Sequence, residues 1–480
     1  MARRLTLALL LLCLVLSAHA RVTRIEVLSR ASVPASPRNA ALPGFEKITA
    51  RVYFAIKPND PHNTRIVDLD KAPRNADGEV EFSSDLLLVR PLAGATGALL
   101  LEIPNRGGTG LLSLVDGGKS QPAKLSETGD AWLLRQGLTF ASLGWQWDIS
   151  DGLRLYAPVA HEAGGKAITG LLRDDFTLSA PANELPLGHV MGARIGGTEY
   201  PAAAPQDARN VLTVRDAPHS PRRVIPHSEW SFAHTENETL APNPHYLHLN
   251  SGFQAGKIYE LVYVVQDPVV AGLGFAAVRE FTEWVKHPVE GEPAPPAAAK
   301  FVYAAGISQC GRFLRDFLYE GFNTGLSGRV VLDGVLAHVG GAGRGSFNYR
   351  FAQPSRDAQP VSSIDWPTDI FPFTDLPEAD PDHPQAPKAG ILDAAAAANV
   401  VPKIFFSHTS YEYWGRAASL IHTTADGKAD APLHDNVRIY FYSGLQHYSV
   451  AFPPEKGTGD RDSQELPSPL PIRWFWRAMI

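Results

Sequence analysis

The chain has 480 residues, enough for two or three domains or for one large α/β unit with insertions. It is 44% hydrophobic and 20% charged, which argues against a disordered or collagen-like protein. A formal net charge of −6 offers no basic surface for a phosphate backbone, so nucleic acid is not expected as a partner.

The first twenty residues read as a signal peptide. Arg3 and Arg4 are basic, Leu5 to Leu16 are apolar, and Ala18-His19-Ala20 gives small residues at a cleavage site before Arg21. The apolar run is shorter than the roughly 20 residues that span a bilayer, and no later stretch is long and apolar enough to do so. The expected mature chain is 21–480, periplasmic or secreted, without a stable membrane anchor. Cys13 leaves with the signal, so Cys310 has no internal disulfide partner and stability must come from a core.

Strand character then appears at Val22–Leu28, Ile48–Ile56 and Val80–Val89. Gly97–Ile103 is a continuous apolar run, as a strand buried on both faces requires. It ends in Asn105-Arg106-Gly107-Gly108. Residues 128–136 read as helix and Leu138–Leu143 as a further buried strand. Residues 150–255 lose this order; Pro, Gly, His and Asn dominate, and a β/loop-rich inserted subdomain is expected there. Tyr259–Val265 (strand) and Phe275–Lys286 (helix) mark the return of regular order.

Phe301–Ala305 is a strand that runs into Gly306-Ile307-Ser308-Gln309-Cys310-Gly311. The helix after it has Phe313, Leu314, Phe317, Leu318 and Phe322 on its apolar face; Arg312, Arg315, Asp316 and Glu320 are assigned to the wet face. Val330–Leu336 is read as a strand. Residues 340–398 form a long excursion, too long for an idle connection. Lys403–Phe406 and Val437–Tyr442 are buried strands, and Pro471–Met479 closes the chain as a helix. Alternating strands and helices predict an α/β fold: a mostly parallel central sheet flanked by helices. The insertion and the excursion are expected to roof its carboxyl edge.

Strand, Gly-X-Ser, helix is the arrangement that lifts a serine hydroxyl above a sheet edge, with the next N–H at the positive end of the helix. Ser308 fits, with Cys310 where a second glycine is usual. A serine needs a base and an orienting carboxylate, each expected after a later strand in the order Ser, acid, His. Glu412 follows Lys403–Phe406 and His447 follows Val437–Tyr442. Asp333, Asp365, Asp369 and Asp375 are rival acids, and His408 and His422 flank Glu412. For the oxyanion, one donor is expected from Gln309 N–H and another from Arg106, Gly107 or Gly108. Trp145, Trp147, Tyr411 and Trp414 line the pocket or pack the core. The sixteen histidines, including His227, His234, His245 and His248, match no metal-ligand spacing, and no phosphate loop is present.

The run Gly306–Arg312, the Asn105–Gly108 loop, Tyr411–Arg416 and Gln446-His447 resemble bacterial exported α/β-hydrolase-domain proteins over nearly all the mature chain. The resemblance implies an α/β-hydrolase fold and serine esterase chemistry, with Glu412 as the acid. A looser likeness is to glucuronoyl esterases, which carry Arg just after the serine where this chain has Gln309. The expected activity is carboxylic ester hydrolysis on a small-molecule or glycan-linked ester. No metal or organic cofactor is required. An amidase, peptidase or acyltransferase would use the same triad, and a catalytically inactive binding protein would keep the same fold.

Overall fold

The structure is a computed structural model and describes residues 22–35, 43–178, 180–188, 199–356, 370–447 and 472–480. The signal segment 1–20, its cleavage site before Arg21, Asp365 and Asp369 lie outside the described residues. No helix among the described residues is long and apolar enough to cross a membrane.

The frame is a ten-stranded mixed sheet. Strands β1 (Val22–Val33), β2 (Phe45–Ile56) and β3 (Val80–Pro91) form an antiparallel meander. Strands β4 (Ala98–Ile103) and β5 (Thr139–Leu143) follow, with β5 placed between β3 and β4. The expectation of parallel pairing holds from β5 onward, through β4 and the four later strands named below. The first three strands pair antiparallel, and so do β3 and β5.

The run read as Gly97–Ile103 shows why it is apolar throughout. Successive side chains point to opposite faces. Leu99 and Leu101 enter the larger core cluster, while Leu100 enters the other. Helices α2 (Leu273–Lys286) and α3 (Gln309–Tyr319) cover the first face through Phe275, Phe281, Phe313 and Phe317. Helices α1 (Leu111–Asp116) and α5 (Ile472–Met479) cover the second, through Leu111, Leu112, Val115 and Trp476. Of the expected helix at 128–136 only Trp132–Arg135 forms, and α1 was not foreseen.

Between β5 and α2, Leu155–Tyr156 adds a short tenth strand to the main sheet beside β3, and the chain then builds separate sheets. Strands β6 (Thr169–Thr177), β7 (Val211–Arg215) and β8 (Ile258–Gln266) lie side by side, all antiparallel. The strand expected at Tyr259–Val265 forms as β8, and it pairs with β6 and β7, so this accessory β region extends to Gln266.

The remaining strands of the sheet are β9 (Phe301–Ile307), parallel to β4, then β10 (Gly334–His338), β11 (Lys403–Thr409) and β12 (Val437–Tyr442), each parallel to the one before; β12, expected to be buried, is instead the edge strand and exposes Tyr440 and Phe441. Strand β10 starts later than the expected Val330–Leu336, because Val330 bridges back to Thr324 and Asp333 is held by Lys286 and Val302. The wet face assigned to α3 is also corrected. Arg312, Arg315 and Asp316 are buried. The excursion covers them: Arg315 donates to the carbonyls of Ala342 and Phe373, and Arg344 lies 3.7 Å from Asp316. Burial pushes the Asp316 carboxyl up to about 8 despite nearby Arg344.

Candidate active site

Ser308 sits between β9 and α3 with φ 60° and ψ −116°. That backbone is strained for a residue with a Cβ and persists only where its surroundings enforce it. They do so tightly. Ser308 N donates to His338 O at 2.8 Å, pinning the turn to the end of β10. A Cβ on Gly306 would stand 2.5 Å from the carbonyl carbon of Cys310, and one on Gly311 3.0 Å from His338 O. Cys310 is fully buried and burial pushes its thiol up, so it fills space and does not react.

His447, just beyond β12, brings Nε2 to 2.8 Å from Ser308 Oγ. Its Nδ1 lies 2.5 Å from Glu412 Oε1. Glu412 is on α4 (Ser410–Gly415), the single turn that follows β11. Thr409-Ser410-Tyr411-Glu412 is a capping box, which starts a helix locally. Glu412 Oε2 accepts from Thr409 N at 2.8 Å and from Thr409 Oγ1 at 2.6 Å, leaving Oε1 for the imidazole. Burial opposes ionisation of Glu412, but hydrogen bonds from His447 and Thr409 hold its carboxyl below the ordinary carboxylate value. An ionised Glu412 accepts only, so the proton facing it belongs to Nδ1 and the Nε2 lone pair faces the serine.

Two other imidazoles near Glu412 differ in kind. Burial pushes His338 down to about 3 and His408 down to about 4, so both are neutral. His447 has 19% of its side chain exposed, whereas the Glu412 side chain is fully covered.

Asn105–Gly108 forms a tight turn, with Gly108 N donating to Asn105 O at 3.0 Å and φ of 49° at Arg106 and 74° at Gly107. Two positive φ values in sequence make this a type I′ geometry, which favours glycine. Arg106 N donates to Gln146 Oε1 at 2.7 Å. The N–H groups of Arg106 and Gly108 are thus engaged within the protein. Those of Gly107 and Gln309 have no acceptor among the described residues. Gln309 N–H opens α3, where a first-turn donor has no partner inside the helix.

The rival acids lie elsewhere. Asp333 accepts from Lys286 Nζ at 2.9 Å and from Val302 N at 2.8 Å, near the opposite ends of the strands from Ser308. Asp375 is buried within electrostatic reach of Arg315, and burial raises it to about 6. His422 Nε2 meets Tyr413 Oη at 2.9 Å. Of the aromatics, Trp145 is core, tilted on Phe313 and donating to Pro104 O at 2.8 Å. Trp147 is nearly covered, Tyr411 lies 5.2 Å from the His447 ring, and Trp414 is 88% exposed. His245 faces Glu199, and His234 faces Glu184 and stacks on Tyr246.

Sequence reading missed Gln146 and the stretch 354–356, which surround Gln309 and Arg106. Neither carries a motif. Only the T-x-x-E pattern at Thr409–Glu412 was available as an overlooked local signal.

A helix-covered sheet whose parallel strands end in such a strand–turn–helix defines the α/β-hydrolase class of fold. Residues 242–477 match the family model described as alpha/beta hydrolase domain. No curated protein matches the chain. A solved structure described as a CE15 glucuronoyl esterase from Teredinibacter turnerae T7901 aligns with 9% identity and a TM-score of 0.30, over 88% of this chain and 75% of that one. That likeness is too slight to carry an argument.

Proposed function

We propose that the chain is an exported hydrolase of carboxylic esters that works through an acyl-enzyme on Ser308. The observation that carries this reading is the unbroken relay from Ser308 Oγ to His447 Nε2 at 2.8 Å and from His447 Nδ1 to Glu412 Oε1 at 2.5 Å. Ser308 Oγ attacks the ester carbonyl carbon while His447 Nε2 takes its proton. Glu412, ionised and buried, orients the ring and stabilises the imidazolium. Gln309 N–H and Gly107 N–H receive the oxyanion. The tetrahedral species then collapses, and His447 gives its proton to the departing alcohol. Water, deprotonated by the same imidazole, releases the acid and restores Ser308.

The substrate in this reading is a small-molecule or glycan-linked ester met in the periplasm or outside the cell, after removal of residues 1–20. The accessory β region and the excursion shape its approach. The N-terminus of exported protein, read by mass spectrometry, is expected to be Arg21. A fluorophosphonate probe is expected to label the wild type and not Ser308→Ala, and p-nitrophenyl acetate hydrolysis is expected to vanish with that substitution. Equal labelling of both proteins would remove Ser308 as nucleophile.

A further inference from the structure

Gln146 lies just past β5 and is 1% exposed. Its side chain joins the two backbone elements that flank Ser308. Oε1 accepts from Arg106 N at 2.7 Å, and Nε2 donates to Gln309 Oε1 at 2.7 Å and to Pro354 O at 3.0 Å. Gln309 Nε2 in turn donates to Arg356 O at 3.1 Å. The orientation of both amides follows from these partners. Arg106 N–H can only donate and Pro354 O can only accept, so the Gln146 amide has one way to face, and it fixes Gln309.

The stretch 354–356 is itself anchored. Ser355 N donates to Asp148 Oδ2 at 2.9 Å, and Arg106 Nε donates to Ser355 O at 2.8 Å. The Arg356 guanidinium pairs with Asp175 on β6. Three successive carbonyls, 354 to 356, thus accept from Gln146, Arg106 and Gln309. A satisfied polar network in a buried place is rigid, and breaking one member leaves others unpaired.

From this geometry we infer that Gln146 is the positioning residue of the oxyanion site. It holds Gly107 N–H, on the turn after β4, at a fixed separation from Gln309 N–H, at the start of α3. The inference rests on the ester-hydrolase reading above. Gln146 touches no substrate. It occupies Arg106 N–H, so that the next N–H of the turn is the one left to donate, and it stops α3 from shifting relative to that turn. Oxyanion donors act only when held at hydrogen-bond distance from the oxygen that develops charge, so small displacements are costly.

The test compares wild type, Gln146→Met and Gln146→Glu on p-nitrophenyl acetate. Met keeps the length and removes both polar atoms. Glu keeps an acceptor for Arg106 N–H and loses the donor to Gln309 and Pro354. The expected result is a fall in kcat of about 10- to 100-fold with KM changed less than about threefold. Affinity for a trifluoromethyl ketone, whose serine adduct carries the oxyanion, falls in parallel with kcat, and the acid limb of the pH–kcat profile stays in place. Unchanged kcat in folded variants overturns the inference. So does a matched loss in kcat and KM with a displaced acid limb, which would mark general loosening. Should circular dichroism show the Gln146 variants unfolded, Gln309→Met cuts the same bridge from the helix side and is read by the same criteria. Wild-type protein without Ser308-dependent turnover would instead overturn the esterase reading itself.

Discussion

Gly306 lies against the main chain of Cys310, so closely that any side chain on Gly306 would meet the Cys310 carbonyl. The glycine before the serine is therefore the one this turn cannot replace. The position two after the serine tolerates a side chain, and Cys310 fills it with a buried thiol. Gly306→Ala is expected to cost about 1–3 kcal/mol by overpacking and to slow labelling of Ser308 by a fluorophosphonate. Cys310→Ala keeps the turn and its labelling rate. Urea unfolding and labelling kinetics on both variants check the contrast.

Glu412 and Asp333 are both acidic residues associated with core strands, but they serve different ends of the sheet. Glu412→Gln is expected to lower kcat on an activated ester by roughly 10²- to 10⁴-fold, the range for an orienting acid. Asp333→Asn is expected to leave kcat within about twofold and to cost about 1–3 kcal/mol of stability, because Lys286 and Val302 N lose a charged acceptor. A large loss of kcat in Asp333→Asn would reverse the assignment.

Stability near neutral pH should carry the mark of His408. In the unfolded chain this imidazole takes a proton near its ordinary value of 6.5, whereas burial delays protonation in the fold to about pH 4. Protons therefore favour the unfolded state between those values, and stability falls as pH drops through that window. His408 has neither ring nitrogen hydrogen-bonded among the described residues. His408→Phe is expected to lose about 1–2 kcal/mol less than wild type on going from pH 7 to pH 5, measured by denaturant titration at both values.

Two tryptophans that sequence reading grouped together should respond differently. Trp414 is 88% exposed, and its replacement by Ala is expected to leave unfolding free energy within about 0.5 kcal/mol. Trp145 is 2% exposed among Phe313 and Phe347, and the same change there is expected to cost about 3–5 kcal/mol. Thermal unfolding of both variants decides this.

Much of the site was legible because its parts are local. A strand running into Gly-X-Ser and an amphipathic helix is written in a dozen consecutive residues, and it marks the turn that carries Ser308. The Thr409–Glu412 capping box, overlooked in the sequence, is equally local and sets the Glu412 side chain through its neighbour three residues back. The strands that carry these turns were readable from their apolar runs, since burial on both faces demands them.

Tertiary structure decided which side chains meet. Ser308 reaches His447 across 139 positions and Gln146 reaches Gln309 across 163. No periodicity or spacing encodes such pairs, because they depend on the order of strands in the sheet and on where the long excursion returns. The charged face of α3 shows the same limit. Its pattern of Arg312, Arg315 and Asp316 is what a solvated helix surface carries, yet all three are buried, and residues 342–344 and 373 pack over Arg315 and Asp316.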